Sequence, residues 1–189
     1  MKVFALALAL TSSLASAANW QLDNSGSSLH FVSVKNDVVA ETHQFNQLTG
    51  QWDGNSVSIQ IPVSSLETQI PIRNERIWQY VLQAETFAAI SVSATLAEAD
   101  TAKLATGQSM VVTLPLKVTI AAETTEVIAA VRITKLSDNS LAAASVAPIM
   151  LNTNSFKLTA GVAKLQQLAG LKRIDPLLPV SFNVQFTKA

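Results

Sequence analysis

His30 and His43 are the only imidazoles in this 189-residue chain, and it contains no cysteine. A thiol nucleophile is excluded, and a serine triad would need one of two histidines that stand in no recognisable motif. Glu41 and His43 sit two apart in a strand-like stretch and share a face, as a general base and its neighbour or as two metal ligands would. Two ligands fall short of the usual metal set, so no metal site is expected. The densest cationic group is Arg73-Asn74-Glu75-Arg76. Two guanidiniums three residues apart on one helical face can meet one anionic group together. The competing arrangement is internal, with Glu75 or a carboxylate elsewhere pairing with an arginine. Asp37, Glu41 and His43 suit either the lining of a pocket mouth or a solvated strand edge.

These groups depend on the elements that carry them. Val57, Ile59, Ile61 and Val63 alternate with Ser56, Ser58, Gln60 and Pro62, the period-two pattern of a strand with one buried face. Beyond Pro71, Ile77, Tyr80 and Val81 take up helical spacing. The two arginines are therefore expected on a short helix lying over one opening of a folded sheet.

The rest of the chain is read as strands. Trp20–Asp23 is a short first strand, ended by a turn at Asn24–Ser27; Leu29–Lys35 and Val38–Phe45 form a hairpin around Asn36-Asp37. Asp53-Gly54 is a further hairpin turn. Ile90–Leu96 alternates, Glu98–Thr106 is a polar connection, and Met110, Val112, Leu114, Leu116, Val118 and Ile120 share one face of a long strand. Pro115 within it predicts a bend, because proline gives the ladder no N–H. Val127–Ile133 and Leu141–Ile149 alternate in turn. A helix is expected from Thr159 or Ala160 to Ala169, stopped near Gly170, then a loop bracketed by Pro176 and Pro179 and a last strand through Val180–Phe186. Seven to nine strands in near-consecutive hairpins with two short helices predict a mainly-β antiparallel barrel of about eight strands.

Lys2, the apolar run Val3–Leu10 and the small residues Ala15-Ser16-Ala17 match a secretory signal with cleavage after Ala17, leaving residues 18–189 as one domain. The apolar run is short of the roughly 18 residues that span a bilayer, so no stable membrane anchor is expected. Without Lys2 the balance is 13 − 1 = 12 basic against 13 acidic residues. Nucleic acid is not an expected partner, because tracking phosphates needs a concentrated basic excess. A periplasmic destination fits a cysteine-free secreted chain stabilised by packing and hydrogen bonding rather than by disulfides. Only 14% of residues are charged, against roughly 25% in typical soluble domains. That low fraction suits either an apolar internal site or a plain alanine-rich barrel.

The chain resembles the YceI-like family of bacterial secreted proteins. The resemblance is carried by Trp20-Gln21-Leu22-Asp23, Ser28-Leu29-His30-Phe31, Gly50, Ile59-Gln60-Ile61, Thr68 followed by Arg73-Asn74 and a helix, Phe87, Leu114–Val118, and Pro179-Val180-Ser181-Phe182. It implies a lipocalin-like barrel whose apolar interior holds a polyisoprenoid chain, such as a polyprenyl phosphate or a quinone, with no other cofactor. Asn74 stands where many relatives have aspartate, and Lys35 where they have histidine after the first hairpin strand; both departures are expected to alter the polar end of the pocket.

A barrel of about eight strands either fills itself or encloses one ligand. Ala94, Ala129, Ala143, Ser145 and Ala147 at alternating positions favour the second. On that basis Phe31, Val57, Ile59, Ile61, Leu114, Leu116 and Phe182 are expected in the pocket wall. Arg73 and Arg76 are expected at the headgroup, with Lys35 and His43 as further candidates. The expected function is that of a periplasmic isoprenoid carrier or store rather than an enzyme. An enzyme using Glu41 or His43 as base, and a stress-response barrel that binds protein, are the alternatives. A homodimer is compatible with the sequence.

Overall fold

The computed structural model describes residues 19–188, so the secretory-signal expectation for residues 1–17 lies outside the described residues. The period-two stretches become eleven strands of one antiparallel sheet. In chain order they are β1 (Trp20–Lys35), β2 (Val39–Phe45), β3 (Thr49–Trp52), β4 (Ser56–Pro62), β5 (Leu66–Glu67), β6 (Ala89–Thr95), β7 (Ser109–Ile120), β8 (Glu123–Ser137), β9 (Ser140–Ser145), β10 (Ile149–Asn152) and β11 (Leu177–Lys188). Pairing of β1 with β11, from Trp20↔Lys188 to Phe31↔Val180, closes eight of them into a barrel: β1, β3, β4, β6, β7, β8, β9 and β11. The expected mainly-β barrel is what the chain forms. The extra strands β2, β5 and β10 extend the wall at the end where β1 finishes.

The inward faces follow from alternation. On β7, Leu116, Val118 and Ile120 are buried while Val111, Thr113, Pro115 and Lys117 are exposed; on β8, the buried Ala129, Val131 and Ile133 alternate with the exposed Ile128, Ala130 and Arg132.

Several boundaries differ from the sequence reading. β1 does not stop at Asn24: it is one strand of 16 residues, with a register shift between Asp23 and Ser28. Asp23 accepts from the Ser25 N–H and hydroxyl, and Ser27 donates to the Asp23 carbonyl, so polar side chains stabilise a bulge rather than a turn. Pro115 causes no break, because the β7–β8 register runs unshifted from Ser109 to Ile120. β6 pairs with β7 only through Ser91–Ser93 against Lys117–Thr119, which leaves the wall beside Pro115 without a ladder partner on that side. Pro179 lies inside β11, paired with Met150, rather than closing a loop.

The two barrel ends are unlike. At the end where β1 begins, the helix α2 (Glu98–Thr101) occupies part of the polar connection expected over Glu98–Thr106. Its Glu98 N–H donates to the Gly54 carbonyl and Leu96 N–H to Asn55, which stitches this segment across the β3–β4 turn. At the other end lie α1 (Pro71–Arg76), a π-helical continuation over Ile77–Leu82, and α3 (Thr159–Ala169). Pro71 opens α1, where its missing N–H costs no hydrogen bond. Gly161 sits where a Cβ would run into the Tyr80 carbonyl and lie 2.8 Å from Val81 Cα, so glycine is what lets α3 pack on the π-helix. Arg76 Nη1 donates to the Leu168 carbonyl at 3.3 Å, joining α1 to the last turn of α3.

Candidate functional site

Inside the barrel is a cavity of about 510 Å³, within the roughly 300–1,000 Å³ typical of small-ligand pockets. It extends from Trp52 and Leu96 near the α2 end to Lys35, Arg73 and Ile174 near the α1 end. All seven residues expected in the wall, Phe31, Val57, Ile59, Ile61, Leu114, Leu116 and Phe182, line it. So do Lys35, His43, Arg73 and Arg76, all at the α1 end. Of the small residues expected to keep the bore open, Ala94 and Ala143 line it and Ala129 is buried in the wall. Ser145 and Ala147 do not line it. Ala147 is exposed beyond the end of β9, and Ser145 Oγ instead accepts from the Phe182 N–H.

The polar end is built by three elements. Glu41, His43 and Phe45 alternate inward on β2, and β1 supplies Phe31, Ser33 and Lys35 at matching parity. Helix α1 adds Arg73 and Arg76. Glu41 Oε2 accepts from Lys35 Nζ at 2.5 Å and from Arg73 Nη1 at 2.7 Å. Lys35, and then Arg73, hold the Glu41 carboxyl below the ordinary carboxylate range against the opposing effect of burial. Arg73 Nη2 donates to the Thr68 carbonyl at 2.6 Å. The internal pairing weighed above is therefore the one formed by Arg73, with Glu41 rather than Glu75 as its partner, and Arg76 is turned to α3.

His43 is 4% exposed. Its Nε2 lies 2.9 Å from Ser33 Oγ, and its ring centroid lies 5.1 Å from that of Phe31. Burial depresses the imidazole pKa, the Arg73 and Lys35 charges add to that, and Glu41 opposes it. Among the described residues, His43 Nδ1 and Arg73 Nε are buried without a hydrogen-bond partner. The His43 imidazole, the Ser33 hydroxyl and the Arg73 guanidinium line this end of a largely hydrocarbon space together with Lys35 and Arg76, an arrangement able to meet one polar group at the end of an apolar molecule.

Asn74 does not belong to this end. It is buried outside the cavity, where its Oδ1 accepts from the Thr68 N–H at 3.0 Å and hydroxyl at 2.5 Å. The expectation that it alters the pocket is corrected: it clamps the β5–α1 connection. Ser33, Phe45, Trp52 and Leu96 line the cavity without having been singled out from the sequence. Their parity with Phe31, His43, Gly50 and Ala94 respectively was the available signal.

The family model for the YceI-like domain matches residues 20–186. The chain belongs to the YceI-like family. A polyisoprenoid-binding domain from Saccharophagus degradans, implicated in plant cell wall breakdown, shares its fold at a TM-score of 0.88 with 27% identity, covering 90% of this YceI-like chain and 98% of that one. BcnA from Burkholderia cenocepacia matches at a TM-score of 0.63 and 15% identity, covering 87% and 98%, and shows likeness of fold alone. No curated protein matches this YceI-like chain. Among the described residues no cluster of three or more potential metal ligands occurs, and no helix is long and apolar enough to cross a membrane.

Proposed function

We propose that this YceI-like protein binds a polyisoprenoid chain in its barrel and acts in the periplasm as a carrier or store. The observation that carries the proposal is the unplugged bore, lined by hydrocarbon from Trp52 to Phe31 and ending in a small polar cluster at Ser33, His43 and Arg73. A fully buried isoprenoid tail would gain roughly 0.8 kcal/mol for each methylene removed from water, so tight binding needs no covalent chemistry. The likeness to a polyisoprenoid-binding domain supports the same ligand class.

The polar end suits the head of such a lipid. Lys35, Arg73 and Arg76 face the cavity with one carboxylate, Asp175, while Glu41 takes up charge from behind. The excess of cations is small, which accommodates a polyprenyl phosphate or the carbonyl of an isoprenoid quinone. A binding role is favoured over catalysis because Glu41 is committed to two cations and the His43 ring shares a hydrogen bond with Ser33 rather than with a carboxylate. Extraction of protein purified from its native host with organic solvent, followed by mass spectrometry, tests the proposal. Recovery of an isoprenoid supports it, and repeated recovery of protein free of lipid counts against it.

A further inference from the structure

The cavity has a floor as well as a mouth. Trp52 and Leu96 line its α2 end, and Trp52 is 2% exposed. The indole is held from two directions. Its Nε1 donates to the Leu96 carbonyl at 2.9 Å, which ties the two lining residues together. Its ring lies 5.3 Å from that of Trp20, tilted by 32°, and Trp20 does not line the cavity. Trp20 is held in turn by Glu98, which accepts from its Nε1 at 3.4 Å, and by Lys188, whose Nζ lies 5.4 Å from the ring. Beyond these, α2 buries Thr101 and Leu104 packs against the core. The α2 end is therefore closed in layers, with a rigid aromatic surface uppermost.

From this we infer that Trp52, supported by Leu96, sets the length of isoprenoid chain the barrel accepts. The inference builds on the lipid-binding proposal and goes beyond it by assigning length selection to particular side chains. The polar cluster at His43 and Arg73 fixes one end of the ligand, and the Trp52 face stops the other. β1 runs between these levels from Trp20, paired with Trp52, to Phe31, paired with His43, and the unbulged partner β11 covers the same distance from Lys188 to Val180, on the order of 26 Å of strand at about 3.3 Å per residue, shortened along the axis by tilt. A chain longer than the bore must buckle or leave its head outside, and a shorter one leaves unfilled space that forfeits dispersion contacts. Discrimination by one isoprene unit thus follows from a hard stop rather than from hydrogen bonding.

The floor can be moved in both directions. Trp52→Leu deepens it, and Leu96→Ala does so with less disturbance, since Leu96 is only half-buried. Ala94 lines the bore opposite Val57, itself paired with Trp52, so Ala94→Leu raises the floor. Delipidated protein is incubated with an equimolar series of linear polyprenols of graded length, re-isolated, extracted and analysed by mass spectrometry, with folding checked by circular dichroism. Wild type should retain a narrow band of lengths. Trp52→Leu or Leu96→Ala should shift its maximum to longer chains by one isoprene unit or more, and Ala94→Leu to shorter ones. If Trp52→Leu does not fold, the other two variants decide. An unmoved band in the folded variants overturns the floor inference and leaves lipid binding intact, whereas failure of wild type to retain any polyprenol overturns both.

Discussion

Glu41 on β2 receives Lys35 from β1 and Arg73 from α1 on the same oxygen, Oε2, so one carboxylate ties the helix to the hairpin at the cavity mouth. Glu41→Gln leaves those two cations as uncompensated neighbours. Both pairs are partly exposed, so the loss of stability should be about 1 kcal/mol or less. Affinity for an isoprenyl phosphate should rise several-fold relative to the neutral alcohol of equal length, measured by competition. An equal change for both ligands would mean that Lys35 and Arg73 do not face the headgroup.

His43 gives a pH dependence of definite sign. Its folded pKa is depressed, first by burial and then by Arg73 and Lys35 against the opposing pull of Glu41, so the unfolded chain binds the proton more readily. Stability should therefore decline as pH falls through the ordinary imidazole value of about 6.5, and stop declining below the folded pKa. The depressed Glu41 pKa acts lower: its contribution is present above the ordinary carboxylate value and lost as pH falls through the folded one. Urea unfolding of wild type and His43→Gln from about pH 8 to about pH 5 separates the two. Equal slopes in that range would remove His43 as the source.

Gly161 holds α3 against the π-helix over the mouth. In Gly161→Ala the new methyl meets the Tyr80 carbonyl and Val81 Cα, both backbone and unable to step aside as a side chain can. The expected cost is about 1–3 kcal/mol, together with faster ligand release because the two capping helices part. Thermal unfolding and the dissociation rate of a bound polyprenol report the two effects. Wild-type values for both would contradict close packing at this contact.

Ala143 on β9 faces the bore. Ala143→Phe should fill it without straining the core, retaining the fold while polyprenol affinity drops at least tenfold, about 1.4 kcal/mol. Ala130→Phe, on an exposed position of β8, is the control and should bind as wild type does.

Much of the barrel was legible because alternation is a property of strands that bury one face. Met110 to Ile120 and Val127 to Ile133 were each placed on one strand face by parity, and the burial along β7 and β8 turns that face inward. Parity says nothing about ends. The polar run Asn24–Ser27 has the composition of a turn, and only the pairing of β1 with β11 on both sides of it makes it a bulge. Likewise, a helical period could place Ile77 and Val81 on one face but could not reveal that the helix widens to π after Arg76. For the polar end, residue types identified the groups and tertiary contacts decided their use. Arg73 found Glu41, which is 32 positions away, and Arg76 found Leu168, which is 92 positions away. Asn74 looked like part of the same cluster by adjacency alone, yet one residue along a helix turns a side chain about 100° away, here toward Thr68.

The central claim is that the bore between Trp52 and His43 holds a long apolar molecule. Crystals of protein purified from its native host, with no lipid added, test it most directly. The expected result is continuous, tubular electron density along the barrel axis, ending against Trp52 at one end and within hydrogen-bonding distance of His43 or Arg73 at the other. An axis filled from end to end by the protein's own side chains, or by separate water peaks alone, would contradict it.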